Sequence, residues 1–400
     1  MRRILLLGAA LLMGATSAMA APKIAPLPKS AWSAEQKAVA AQFSKGPGGN
    51  ALATFIRFPQ LVRGIYPLAG FLMADSTITA RQRELLTLRT AWNCSSQYMW
   101  SYDVPRAKAA GLSDAEIARI AQGPDAKGWS PLEAALLRAA DDLHKDSFIS
   151  GPAWAVMAKA LRRDQLVDAT FTVTDMMQFA ALYNSFGIEP DAGNTARLPS
   201  MAPHPPVGKR WHQALGTARI PQIAPKDFTD DIYRVFDPKR TGKEINRLYI
   251  TYAHSKGLFE PRQIQSEHIR THTSITDREK DMAILRITHQ AMGDFPYSVH
   301  VAGARAKKEM TDEEITRLTK PGTAGWSAKE ASLIKTADEI FAYDKVSDAT
   351  WKAMKAHYSD QQILDIMVSA SGYWMVGITG STFAVQLPDG SERMPGTNRP

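Results

Sequence analysis

The chain has 400 residues, 44% of them hydrophobic and 22% charged, with a formal net charge of +8 and one cysteine. These are the proportions of a globular protein long enough for two or three domains, and one cysteine excludes an internal disulfide or an intrachain dithiol. The basic excess is mild and no Lys/Arg cluster is interleaved with aromatics, which argues against nucleic acid as a partner.

The N-terminus reads as a secretory signal. Arg2 and Arg3 precede the apolar run Ile4 to Leu12, and Ala18, Met19 and Ala20 form a small-x-small cleavage site, so cleavage is expected after Ala20. The apolar run is short for a membrane span, and no other apolar stretch is expected to approach the length of a span. The mature chain is therefore expected to be periplasmic or secreted, free of the membrane.

Beyond residue 20 the pattern is helical. Ser113 with Glu116 and Ser130 with Glu133 have capping-box spacing, in which hydroxyl and carboxylate satisfy the orphan N–H groups of a first turn. Pro131 occupies the favoured first helical position. Leu136, Leu137, Ala140 and Leu143 then recur at helical spacing. Thr311 with Glu314, Ser327 with Glu330, and Leu333, Ile334, Ala337 and Ile340 repeat these features downstream. Period-two alternation is not sustained anywhere, so the fold class expected is all-α. Pro199 to Pro221, with Pro203, Pro205 and Pro206, reads as a linker, and the last residues as a loose tail.

The segment Lys23 to Pro199 recurs, diverged, from Arg219 to Pro395. Glu84 pairs with Asp281, Arg89 with Arg286, Trp129 with Trp326, Trp154 with Trp351 and Gln165 with Gln362, all at one interval (281 − 84 = 197). A period this long is that of a domain duplicated and fused. The expected organisation is a signal at 1–20, one domain at 21–199, a linker at 200–218 and a second domain at 219–395. The paired tryptophans at helix starts read as packing.

Residues 78–112, with the downstream segments GLSDAEI, GWSPLEAALL, ISGPAWAVM and GIEPD, resemble the carboxymuconolactone decarboxylase family, which includes alkyl hydroperoxidase D. The likeness covers nearly all of the first repeat and, less closely, the second. It implies two tandem alkyl hydroperoxidase D-like helical domains. The peroxidase branch of that family has a Glu followed on the next helix by C-x-x-C-x-x-x-H. The four positions fall on Glu84, Ser96, Met99 and Asp103 in the first repeat, and on Asp281, Gly293, Pro296 and His300 in the second. Neither repeat keeps a redox cysteine. Cys94 lies two residues early, with no partner near it in sequence, and a peroxidatic cycle needs a thiolate and a resolving thiol.

Acid–base groups remain. Glu84 could act as general acid or base if packing raises its pKa, and Asp103 could help to keep it protonated. The bland reading of Glu84 is a first-turn partner of the helix dipole. Asp281 and His300 make a carboxylate–imidazole combination suited to removing an acidic C–H proton, which favours the second repeat for chemistry. Tyr98 and Trp100 match a Tyr-x-Trp pattern of the cysteine-free branch, where the Met99 position is typically Glu. With Met99 they would line a ligand pocket, or else a core. Arg89 and Arg286 would anchor a substrate carboxylate or pair with a neighbouring helix. His268 and His272 have ligand-like i, i+4 spacing but no evident third ligand.

The expected function is thus a cofactor-free, metal-free lyase or isomerase acting on a small carboxylate, lactone or aromatic-derived compound. The rivals are peroxidase activity through Cys94 and a non-catalytic ligand-binding tandem. The resemblance also implies a homo-oligomer, three two-domain chains presenting six domains.

Overall fold

In the computed structural model the residues described are 22–199, 215–235 and 246–395. The signal segment 1–20, the prolines 203, 205 and 206 of the linker and residues 396–400 of the tail lie outside them. Among the described residues the regular structure is all helix, with no strand. The first repeat contains α1 (Ala34–Gln42), α2 (Gly49–Phe55), α3 (Pro59–Ala74), α4 (Ala80–Asn93), α5 (Gln97–Ala109), α6 (Asp114–Gln122), α7 (Pro131–Asp146), α8 (Gly151–Ala160) and α9 (Arg163–Phe186). After it come α10 (Asp230–Val235), α11 (Arg247–Tyr252), α12 (Lys256–Thr271), α13 (Asp277–Gln290), α14 (Asp294–Ala306), α15 (Asp312–Leu318), α16 (Ala328–Tyr343), α17 (Asp348–Lys355) and α18 (Asp360–Thr382). Helices α12, α13, α14 and α16 begin and end one repeat interval after α3, α4, α5 and α7.

All four capping boxes read from the sequence are formed, at Ser113, Ser130, Thr311 and Ser327. Others open α4 at Thr79 with Gln82 and α13 at Thr276 with Glu279. Each fixes where its helix starts, and so sets the register of the acids one turn further in.

The repeats share one continuous hydrophobic core. Helix α3 lies along α12 and α9 along α18. Contacts across the seam are reciprocal. Phe186 meets Trp351 edge-on with centroids 5.4 Å apart, and Trp154 meets Phe383 at 6.3 Å. Lys23 donates its Nζ to the Val346 carbonyl, and Arg219 donates Nη1 to the Ile149 carbonyl. Close approach of α3 and α12 needs glycine: a Cβ on Gly64 would strike the His268 ring, and one on Gly257 the Phe71 ring.

Helix α18 is long and apolar enough to cross a membrane, which corrects the expectation that no further stretch approaches that length. Its residues are almost all buried, as those of a core helix are. Arg89 and Arg286 do equivalent work inside each repeat. Arg89 forks onto Asp141 at 2.6 and 2.9 Å and donates to the Ile120 and Ala121 carbonyls. Arg286 forks onto Asp338 and donates to the Leu318 and Lys320 carbonyls. These guanidinium groups tie α4 to α7 and α13 to α16, the structural pairing rather than a substrate anchor.

Candidate functional site

Helices α4 and α5 bring Glu84 and Asp103 to the lining of one cavity, where Arg106 reaches both. Glu84 stands in the second turn of α4, not the first, and is 1% exposed. A helix-dipole partner would sit nearer the end and in solvent. Asp103, in the middle of α5, is 4% exposed. Arg83 Nε lies 3.1 Å from Glu84 Oε1, and Arg106 Nε reaches Glu84 at 3.9 Å and Asp103 at 3.7 Å. The other oxygen of Glu84 is buried and has no hydrogen-bond partner among the described residues.

Burial is the larger cause that raises both carboxyls. For Asp103, pushed well above the usual range, the neighbouring Glu84 adds to it, while Arg106 and Arg83 oppose. For Glu84 the two arginines offset part of the rise. Two buried carboxyls that share a cavity and an arginine resist ionising together.

The pair faces a cavity walled by Leu72, Met73, Met99, Tyr102, Met176 and Tyr183. It is narrow, about 20 Å³, space for about one water molecule. Methionine side chains are flexible and polarisable, so three of its walls can yield to a ligand. Tyr98 also lines it; its hydroxyl donates to the Gly48 carbonyl at 3.1 Å and accepts from the Ala51 N–H. It thereby seats the start of α2 over the cavity.

Trp100 is on another face of α5. It borders a separate surface groove with Val104, Ile117 and Arg197, so it does not line the Glu84 cavity with Tyr98. The reason is helical geometry: residues two apart point about 200° apart. Ser96, at the first cysteine position of the family pattern, is the buried N-cap residue of α5.

In the second repeat His300 Nδ1 lies 2.7 Å from Asp281 Oδ1. The edge of the His300 ring meets Tyr373 at 4.6 Å. Glu309 joins them; burial and then a hydrogen bond with Asp281 raise its carboxyl above the ordinary value. Lys280, the counterpart of Arg83, is instead held by Asp277 and the Arg270 carbonyl. Gly303 stands where Arg106 would be, so this site lacks that guanidinium. Gly293 packs so tightly on Gly377 that a Cβ there would lie 2.6 Å from its Cα, which leaves no room for a side chain at that position.

His268, in the last turn of α12, and His272, its C-cap, stack at 6.3 Å. His268 is buried over Gly64, and burial lowers it to about 4; His272 Nδ1 bonds the Thr271 hydroxyl. Arg83, Arg106, Tyr102 and Met176 escaped the sequence reading. Only Arg106, spaced i, i+3 from Asp103, carried a local signal.

The model of the carboxymuconolactone decarboxylase family matches residues 59–142, from α3 through most of α7. Residues 59–142 are a carboxymuconolactone decarboxylase family segment. The matched segment contains Glu84, Asp103 and both arginines. Comparison of the chain with curated proteins finds no match. The second repeat lies outside the matched residues, and its helix bounds are consistent with a tandem copy.

Proposed function

We propose that the protein is a cofactor-free acid–base lyase or isomerase acting on a small carboxylate-bearing lactone or aromatic-derived compound, and that the first repeat does the chemistry. The observation that carries this is the buried Glu84–Asp103 pair facing an apolar cavity with two arginines beside it. A carboxyl whose pKa burial raises can deliver a proton, and a carboxylate beside it can remove one from carbon. Arg83 and Arg106 would hold the substrate carboxylate and steady negative charge developing on the adjacent carbon or oxygen. The apolar walls keep water from competing for the proton.

The N-terminal pattern supports an exported protein, and the family resemblance supports a trimer of two-repeat chains; sedimentation giving a monomer would refute that assembly. The sequence favoured the second repeat for its histidine. Asp281 and His300 remain competent for proton transfer, but with neither arginine: Lys280 and Gly303 stand in their places. Turnover of a confirmed substrate by Glu84→Gln, Asp281→Asn and His300→Ala is the test; unchanged turnover in all three ends the assignment.

The narrow cavity favours the ligand-binding tandem as second reading, whose mark is saturable binding of a small acid with no turnover. The peroxidase reading is weakened by Cys94 itself. It is 1% exposed, and burial followed by the Asp344 carboxylate pushes its thiol well above the ordinary value. Such a thiol is a poor nucleophile.

A further inference from the structure

Cys94 is not isolated in the fold. It caps the C-terminal end of α4, and the seam between repeats brings His144, from the last turn of α7, and Asp344, the C-cap of α16, to it. One donor atom of each, a thiol sulfur, an imidazole nitrogen and a carboxylate oxygen, lies within 4.8 Å of the other two. His144 Nε2 is 2.7 Å from Asp344 Oδ2. The second oxygen, Asp344 Oδ1, is buried without a hydrogen-bond partner among the described residues, in a side chain 5% exposed. Asn184 donates to the Cys94 carbonyl at 2.8 Å and to the Asp344 carbonyl at 3.2 Å, pinning two of the three backbones together.

We propose that Cys94, His144 and Asp344 bind one zinc ion, which staples the two repeats together. The two oxygens of Asp344 subtend too narrow an angle to fill two tetrahedral positions, so the three side chains fill three and a solvent molecule would take the fourth. Sulfur and imidazole select zinc over calcium or magnesium. Zinc–nitrogen and zinc–oxygen bonds of about 2.0–2.2 Å at a tetrahedral angle require the His144 and Asp344 donors to stand roughly 3.3 Å apart. That is a small opening of the present contact.

Charge favours it too. A thiolate, a carboxylate and a neutral imidazole around a dication sum to zero, and a neutral cluster is far cheaper to bury than a lone carboxylate. On binding, the S–H bond breaks, the sulfur keeps the electron pair for the metal, and the proton goes to solvent. No oxidant or reductant takes part.

The repeat provides an internal comparison. The counterparts of Cys94, His144 and Asp344 are Ala291, Phe341 and Ser147. The reciprocal place on the seam therefore holds none of the three donors, although Ser147 and Asp344 share the same left-handed backbone, with φ of 51° and 50°. The donors occur together on one side of the seam only.

The test uses the full chain, stripped with a chelator and reloaded with zinc or cobalt(II). We expect about one zinc per chain by elemental analysis. With cobalt we expect a thiolate-to-metal charge-transfer band, which can come only from Cys94 because the chain has no other cysteine. Loading should raise the melting temperature, and Cys94→Ser and His144→Ala should abolish stoichiometric uptake. Should those variants not fold, the wild-type cobalt spectrum decides alone. Absence of uptake, or cobalt binding without the thiolate band, overturns the proposal.

Discussion

His300 Nδ1 stands 2.7 Å from Asp281 Oδ1, and the register equivalents of these residues, Asp103 and Glu84, form an all-acid pair. One scaffold thus presents a carboxyl pair in one repeat and a carboxylate–imidazole pair in the other. The acid pair has Arg106 beside it and an apolar cavity before it; the imidazole pair has Gly303 in place of that arginine.

This contrast predicts which repeat turns over substrate. Glu84→Gln and Asp103→Asn should each lower kcat by about 10²- to 10⁴-fold, the usual worth of a positioned acid or base, while His300→Ala leaves it within a few-fold. Steady-state kinetics on a confirmed substrate would show it. The opposite ranking would move the chemistry to the second repeat.

Asp175 gives a pH test independent of substrate. It lies in the middle of α9, fully buried, and neither carboxylate oxygen has a hydrogen-bond partner among the described residues. Burial pushes it up to about 8, against the pull of Arg262. The sign follows from where the proton sits. Between about pH 4 and pH 8 the folded state keeps a proton that the unfolded chain has released, so stability is full below that window and falls as pH rises through it. Asp175→Asn should flatten the profile and, near pH 7.5, add a stability on the order of a few kcal/mol. Denaturant titrations from pH 4 to 8 that stay parallel for the two proteins would refute this.

Arg89→Ala should destabilise the fold by about 3 kcal/mol, because it leaves Asp141 without its fork and takes the guanidinium donor from the Ile120 and Ala121 carbonyls. Arg286→Ala should cost about the same. Arg89→Lys should recover little, since an ammonium cannot make the paired contact to Asp141. Urea midpoints measure all three; a shift below about 0.5 kcal/mol, typical of surface sites, would show that the pair is not structural.

Gly64→Ala should be worse than its one methyl suggests. The added Cβ would meet the Cβ, Cγ and Cδ2 of His268, atoms near the root of that side chain, so α3 and α12 must separate. Overpacking of this kind costs about 1–3 kcal/mol. Gly111→Ala, where nothing lies within 4 Å but φ is +88°, tests strain without crowding. A full-length chain whose melting temperature is unmoved by Gly64→Ala would contradict the close seam.

Much of the fold could be read from local chemistry. Capping pairs such as Ser130 with Glu133 depend on residues three apart, and the helices begin where those pairs say. The repeat interval placed Glu84 and Asp281 on equivalent helices before any coordinates. The sites were less legible because they are built across distance. Arg83 and Met176 reach the cavity from different helices, and no periodicity marks them. Cys94 seemed partnerless because His144 lies 50 residues away and Asp344 250, and only the seam unites them. Trp100 was assigned with Tyr98 by a short motif, and the turn of the helix separated them.

The reciprocal contacts of Phe186 with Trp351 and of Trp154 with Phe383 are those of a symmetric dimer, yet here both faces belong to one polypeptide. In a true homodimer every substitution appears twice, and a feature useful on one face must be tolerated on the other. A fused chain lifts that constraint. Phe71 and His268 are counterparts, but the notches that receive them, Gly257 and Gly64, are not, so each face has been cut to fit separately. The chain behaves as a heterodimer with its partner always present in equal measure. One half is free to keep an acid pair while the other departs from it.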